Sequence, residues 1–212
     1  MACPFKTLRS LLGKNDVHRA HMMPELKEIG SDTAPMEIGI AEPGDIPEQI
    51  RMVSLTENDA KFAANLSKLL EPSMDEIAEK FYAMLLSNAE LKNLIHAHST
   101  VERLKKTLIE HIRTMLNIRI NDQYVSKRKA VALKHLHIGL QSKWYIGSFG
   151  TLHNILQKII ARVIADPGLR IRAMEVVTKL LNFEQQIVLE TYETELNRKL
   201  LSIEKNKKLE LY

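Results

Sequence analysis

Residues 132–147 read ALKHLHIGLQSKWYIG, and their periodicity decides the fold class. Val131, His135 and Ile138 stand at i, i+4 and i+7, so they form one apolar stripe of a helix with an imidazole set into it. His137, two positions beyond His135, is turned about 200° away by the 3.6-residue period. One histidine is expected to face the core and the other solvent. Gly139 breaks the helix, and Ser142 opens another that should reach about Ala165.

Working outward from this pair of helices, there is no glycine from Asp45 to Ile138, and the only prolines in that interval are Pro47 and Pro72. A backbone with so few breakers is free to be helical almost throughout. Start signals divide it. Thr56 with Asp59 opens a helix whose apolar face is Phe62, Leu66, Leu69 and Leu70. Ser73 with Glu76 reads as a capping box before Ile77, Phe81, Met84 and Leu85. Ser99 with Glu102 reads as another, before Val101, Leu104, Leu108, Ile112 and Met115. Asn121 or Asp122 can cap the helix that carries His135, and Asp166-Pro167 begins a last helix expected to pass Tyr192 into a charged tail, residues 201–212. Helices of unequal length, the last two longest, suit an all-α, globin-like packing or a helical bundle.

The chain has 212 residues, enough to bury one sizeable core, and no apolar run approaches the length of a membrane-spanning helix. Its one cysteine, Cys3, excludes an internal disulfide framework, and a cytoplasmic location is expected. Residues 1–48 hold five of the seven prolines and four of the eight glycines and carry a net charge of −3. They read as a flexible arm, with the folded domain over 49–200. The net charge of +4 is spread among alternating acids and bases and not gathered in a stripe, so nucleic acid is not an expected partner, nor is membrane insertion.

No glycine-rich phosphate loop, GxSxG turn or HExxH pair is present. The candidate for chemistry is His135. A lone histidine on an apolar face is commonly a core residue satisfied by backbone. Haem offers the other reading, because it brings four nitrogens of its own and needs a single protein ligand in a slot walled by apolar side chains. Phe81, Leu104, Leu108, Ile112, Val131 and Ile138, from three helices, could wall it. Tyr82, on the rim of its helix's stripe, and Thr107, expected on the inward side between Leu104 and Leu108, could donate to bound dioxygen or simply bond to backbone. Two weaker signals lie in the arm: Cys3-Pro4, a dipeptide of some haem-regulatory sites, and His21-Met22-Met23-Pro24, a candidate soft-metal run. Trp144 reads as a core anchor after the Gly139 turn.

These residues carry a resemblance. Residues 132–147 are similar to the AxxHxxIGLxxxWYxG signature of the globin-coupled sensors, and the span from about Ile50 to Arg198 resembles the haem domain of the bacillar haem-based aerotaxis transducers. Phe81-Tyr82, the segment HAHSTVERLKKTL at 96–108 and LLNFEQQIVLE at 180–190 match in order and spacing. The resemblance implies a sensor globin with an extra N-terminal helix and haem b (iron protoporphyrin IX). His135 would be the proximal ligand, Tyr82 and Thr107 the distal hydroxyls. His98 would lie near a propionate and Tyr145 on the proximal side, with Phe81, Leu104, Leu108, His111, Ile138 and Trp144 completing the pocket.

The expected function is therefore a non-enzymatic gas sensor, in aerotaxis or a related response, taking dioxygen and also carbon monoxide or nitric oxide. It would signal through its last two helices to an unknown downstream domain or protein, with residues 201–212 as a helical tail or truncated linker. Stripes such as Leu152, Ile155, Leu156, Ile159 and Val163, then Val177, Leu180, Leu181, Ile187 and Val188, look wider than one packed face requires, which suggests a homodimer built as an antiparallel four-helix bundle. Two other readings remain: a haem-free interaction module like the stressosome sensor domains, and a globin that oxidises nitric oxide with electrons from an external reductase.

Overall fold

The computed structural model describes residues 38–41 and 44–209; Cys3-Pro4 and the run 21–24 lie outside them. The described residues form an all-α body with one short strand pair. Strand β1 (Ile38–Gly39) pairs in parallel with β2 (Ile120–Asn121). The helices are α1 (Ile46–Met52), α2 (Glu57–Leu70), α3 (Met74–Leu86), α4 (Ala89–His98), α5 (Val101–Leu116), α6 (Asp122–His137), α7 (Ser142–Val163) and α8 (Pro167–Leu209).

Local chemistry accounts for most boundaries. Thr56 closes a full capping box with Asp59 at the head of α2. Asn121, not Asp122, caps α6 by accepting from the Tyr124 N–H at 2.8 Å, and Asp166 accepts from the Leu169 N–H at 3.0 Å ahead of Pro167. Gly139, at φ +86°, turns the chain after α6 in a conformation that disfavours any side chain. Two expected caps fall elsewhere. Ser73 ends a 3₁₀ turn over Glu71–Ser73 that runs straight into α3, so it makes no side-chain cap, and Glu76 instead binds Arg162 of α7 at 2.5 Å. At α5 the cap is Thr100, one residue after Ser99, accepting from the Arg103 N–H. Helix α4, for which no start had been read, is capped by Asn88.

Helix α8 is the spine: α6, α7, α2, α1 and α5 all pack on it, while α3 lies against α5 and α7. The face expected for α2 is buried in full, with Phe62, Leu66, Leu69 and Leu70 at 1% exposure or less. In α3 the stripe fades at its end, where Met84 is 58% exposed. Asp59, wholly buried, ties the head of α2 to α8 through Arg172 at 2.7 Å and Lys179 at 2.9 Å.

Two expectations need correction. The boundary drawn at residue 48 cuts through α1, whose Ile46 is buried, and Ile38 and Ile40 pack on the core. The apolar stripes read on α7 and α8 as surplus are nearly all consumed by the subunit itself: Leu152, Leu156, Ile159, Val163, Val177, Leu180, Leu181, Ile187 and Val188 are buried. Both helices have neighbours on more than one side, which a stripe width alone does not reveal. The apolar side chains left exposed are others, including Ile146, Ile171, Leu189, Leu196, Leu200, Leu201 and Ile203. Among the described residues no helix is long and apolar enough to cross a membrane.

Candidate functional site

Helix α5 has two apolar faces. Ile109, Ile112, Met115 and Leu116 are buried in the body, which removes Ile112 from the expected wall of a slot and makes it core. The other stripe, Leu104, Thr107, Leu108 and His111, spans about 100° of helix rotation and is only half-covered, with Thr107 exposed. Helix α6 repeats the pattern: Val125, Arg128 and Ala132 are buried, whereas Val131, His135 and Ile138 are half-covered and His137 is exposed. The expected division of the two histidines is thus observed.

His135 is held from behind. Its Nδ1–H donates to the Val131 carbonyl at 2.8 Å, and the Tyr145 ring meets it edge-on at 5.0 Å. Burial lowers its pKa, so the ring is neutral near pH 7, and with Nδ1 engaged as donor the Nε2 lone pair is the one available to a ligand. Tyr145 is in turn packed by Phe149 and by Tyr192 of α8, which lie 5.4 and 5.7 Å away. Tyr145 thus lies directly against the His135 ring. Trp144, next to it, is half-buried and leaves its indole N–H buried without an acceptor.

Tyr82 is buried, not on the rim, and its hydroxyl donates to the Leu104 carbonyl at 3.3 Å. Burial pushes its pKa up to about 12, so it stays a donor. Thr107 was expected to face inward more firmly than Tyr82. The order is reversed: Thr107 is exposed and its hydroxyl donates to the Arg103 carbonyl at 3.0 Å. Phe81 is buried against Tyr82 at 5.2 Å, and His98, at the end of α4, is exposed.

Chemistry-bearing residues that sequence reading did not single out lie where α5, α6 and α8 meet. Glu184 of α8 is 1% exposed, and its Oε1 accepts from Arg128 Nε and the Tyr124 hydroxyl, each at 2.6 Å. Its Oε2 meets His111 Nε2 at 2.6 Å, so His111, expected among the pocket residues, is engaged by a carboxylate. Burial alone would raise the Glu184 pKa, but His111, Arg128 and Tyr124 outweigh it and draw the carboxyl down to about 2. The spacing of Tyr124 and Arg128, four apart, was the available signal, but nothing in it names Glu184.

A family model described as Protoglobin matches residues 42–198. The chain belongs to the protoglobin family. It is 27% identical over 165 residues to the heme-based aerotactic transducer HemAT of Halobacterium salinarum, a match covering 73% of this chain and 34% of that protein. The chain thus spans about a third of that transducer's length. Its protoglobin fold is similar to the globin domain of the Geobacter sulfurreducens globin-coupled sensor, with a TM-score of 0.64, 21% identity and coverage of 68% of this chain and 95% of that one. It is also similar to the ferric globin domain of E. coli DosC, with a TM-score of 0.60, 14% identity and coverage of 69% and 99%. Among the described residues there is no cluster of three or more His, Cys, Asp or Glu that could hold a metal ion.

Proposed function

We propose that this protoglobin is a haem-based dioxygen sensor in which His135 is the sole protein ligand to the iron. The observation that carries the reading is His135 itself: a neutral imidazole on a half-covered apolar stripe, fixed through Nδ1 to the Val131 carbonyl with Nε2 left to bind. The half-covered stripes of α5 and α6 supply apolar walls through Leu104, Leu108, Val131 and Ile138, and the unsatisfied Trp144 N–H suits a group that brings acceptors, as haem does with its propionates. The likeness to a transducer named as heme-based supports the same assignment.

Haem, when bound, would supply an iron that His135 could hold and that could bind a diatomic gas. The chain's own residues do the rest. Tyr145, braced by Phe149 and Tyr192, limits rotation of the His135 ring. Tyr82 is the buried hydroxyl that can exchange its Leu104 acceptor for a polar gas ligand, with Thr107 as a second donor if it leaves Arg103. A donor of this kind favours dioxygen, whose distal oxygen gains negative charge, over carbon monoxide. Tyr145 touches Tyr192 of α8, and this contact gives the output helix a direct line to the His135 ring. A homodimer, if formed through α7 and α8, would use the exposed Ile146 and Leu189 beside a groove lined by Tyr145, Phe149 and Val188.

An absorption spectrum tests the proposal. Haem-supplemented protein is expected to show a Soret band with distinct deoxy, oxy and carbonyl forms. A folded preparation that stays colourless after supplementation would overturn it.

A further inference from the structure

Helices α5 and α6 are joined to each other, and to α8, by one side chain. Glu184 presents Oε1 to α6, where Arg128 and Tyr124 bind it, and Oε2 to α5, where His111 binds it, all at 2.6 Å. Arg128 then reaches across to α5 itself, donating through Nη2 to Thr114 Oγ1 at 3.1 Å and to the His111 carbonyl at 3.5 Å. The Arg128 guanidinium also lies 4.6 Å over the Tyr124 ring, which stacks on Phe183, the neighbour of Glu184. Away from this cluster the stripes of α5 and α6 that carry Leu104, Leu108 and His135 are only half-covered. A buried carboxylate satisfied by three donors from two helices holds both at a set separation, since releasing either arm leaves a charge in an apolar interior.

We infer that Glu184 is a positioning residue that sets the separation of α5 and α6, and with it the width of the slot between them. The consequence for a cofactor rests on the haem reading above; the consequence for helix spacing does not. Because Glu184 belongs to α8, any change in slot width is also felt by the helix that runs on to Leu209.

The experiment measures spacing and cofactor retention separately. In a Cys3→Ser background, spin labels are placed at Lys106 of α5 and Lys134 of α6, both exposed, and the label-to-label distance distribution is recorded without haem. The unaltered site should give one narrow distribution. Glu184→Gln, which keeps the shape and removes the charge, should broaden it about twofold or more, and Glu184→Asp should recover part of the narrowing. In haem-loaded protein, Glu184→Gln should hasten haem transfer to an excess of acceptor apomyoglobin by about tenfold, a typical consequence of losing one charged hydrogen bond. A distribution as narrow in Glu184→Gln as in the parent overturns the inference. A broadened distribution in a chain that takes up no haem keeps the positioning role and overturns the haem reading instead. If Glu184→Gln does not fold, His111→Gln and Tyr124→Phe each release one arm. Broadening in both supports the inference, and broadening in neither overturns it.

Discussion

At the scale of single residues, the two histidines of α6 make the sharpest test. His135 has its back bonded to Val131 and its face on the half-covered stripe, while His137 is exposed. His135→Ala should abolish axial haem binding, and His137→Ala should leave haem content nearly intact, as read by titration of the Soret band. Equal loss in both would show that the face assignment is wrong. The hydroxyls make a second test. Losing a hydrogen bond to a charged acceptor, worth roughly 1.5–3 kcal/mol, should speed dioxygen release about 10- to 150-fold and change carbon monoxide release much less. Because Tyr82 is buried and Thr107 is exposed and bonded to Arg103, Tyr82→Phe should show the larger effect. Parallel shifts in both gases, or none in either variant, would mean that the distal hydroxyls do not discriminate.

At the scale of elements, the periodicity of α2 specified its buried face correctly and that of α6 separated His135 from His137, while local rules placed the caps at Thr56 and Asp166 and narrowed that of α6 to Asn121 or Asp122. Those rules failed where a partner distant in sequence competed. Glu76 is drawn to Arg162 on α7, so Ser73 loses its reciprocal partner. The buried Asp59 shows the reverse case, a local cap that also serves tertiary structure by pairing with Arg172 and Lys179. Asp59→Asn should therefore cost far more than a cap, about 3 kcal/mol at the low end for a broken buried pair, since both cations keep some contact with water. Urea unfolding would measure it. A loss under about 1 kcal/mol, the worth of an N-cap, would show that the pairing to α8 adds nothing.

At the scale of the molecule, the N-terminal boundary and the pH response follow from long-range contacts. A chain beginning at Gln49 loses β1 and the buried Ile46, and should be less stable than one beginning at Met36 by about 2–3 kcal/mol from that isoleucine alone. Equal urea midpoints would show that α1 is not part of the body. Glu184 has its carboxyl at about 2 in the folded chain against an ordinary value of 4.5. Its depressed value means that the unfolded chain binds the proton first, so the stabilisation is complete above pH 4.5 and is lost as pH falls toward 2. The stability advantage of the parent over Glu184→Gln should shrink by about 3 kcal/mol between pH 5 and pH 2. An advantage that does not change with pH would mean that the carboxyl is not held ionised.

What the sequence determined by itself is whatever depends on neighbours within a turn or two. The absence of glycine from 45 to 138, the stripes and the caps required an all-α body, and the one-turn spacing of Val131 and His135 already put the imidazole on the apolar stripe of its helix. Residues 132–147 further carried the family resemblance. Only the tertiary structure decided which apolar stripes are used up inside the subunit, that Tyr82 is buried and Thr107 is not, and that His111 belongs to Glu184. The reason is physical: helical period tells which residues share a face, but not which neighbour covers that face. A contact such as His111 with Glu184 joins positions 73 residues apart that no local periodicity connects.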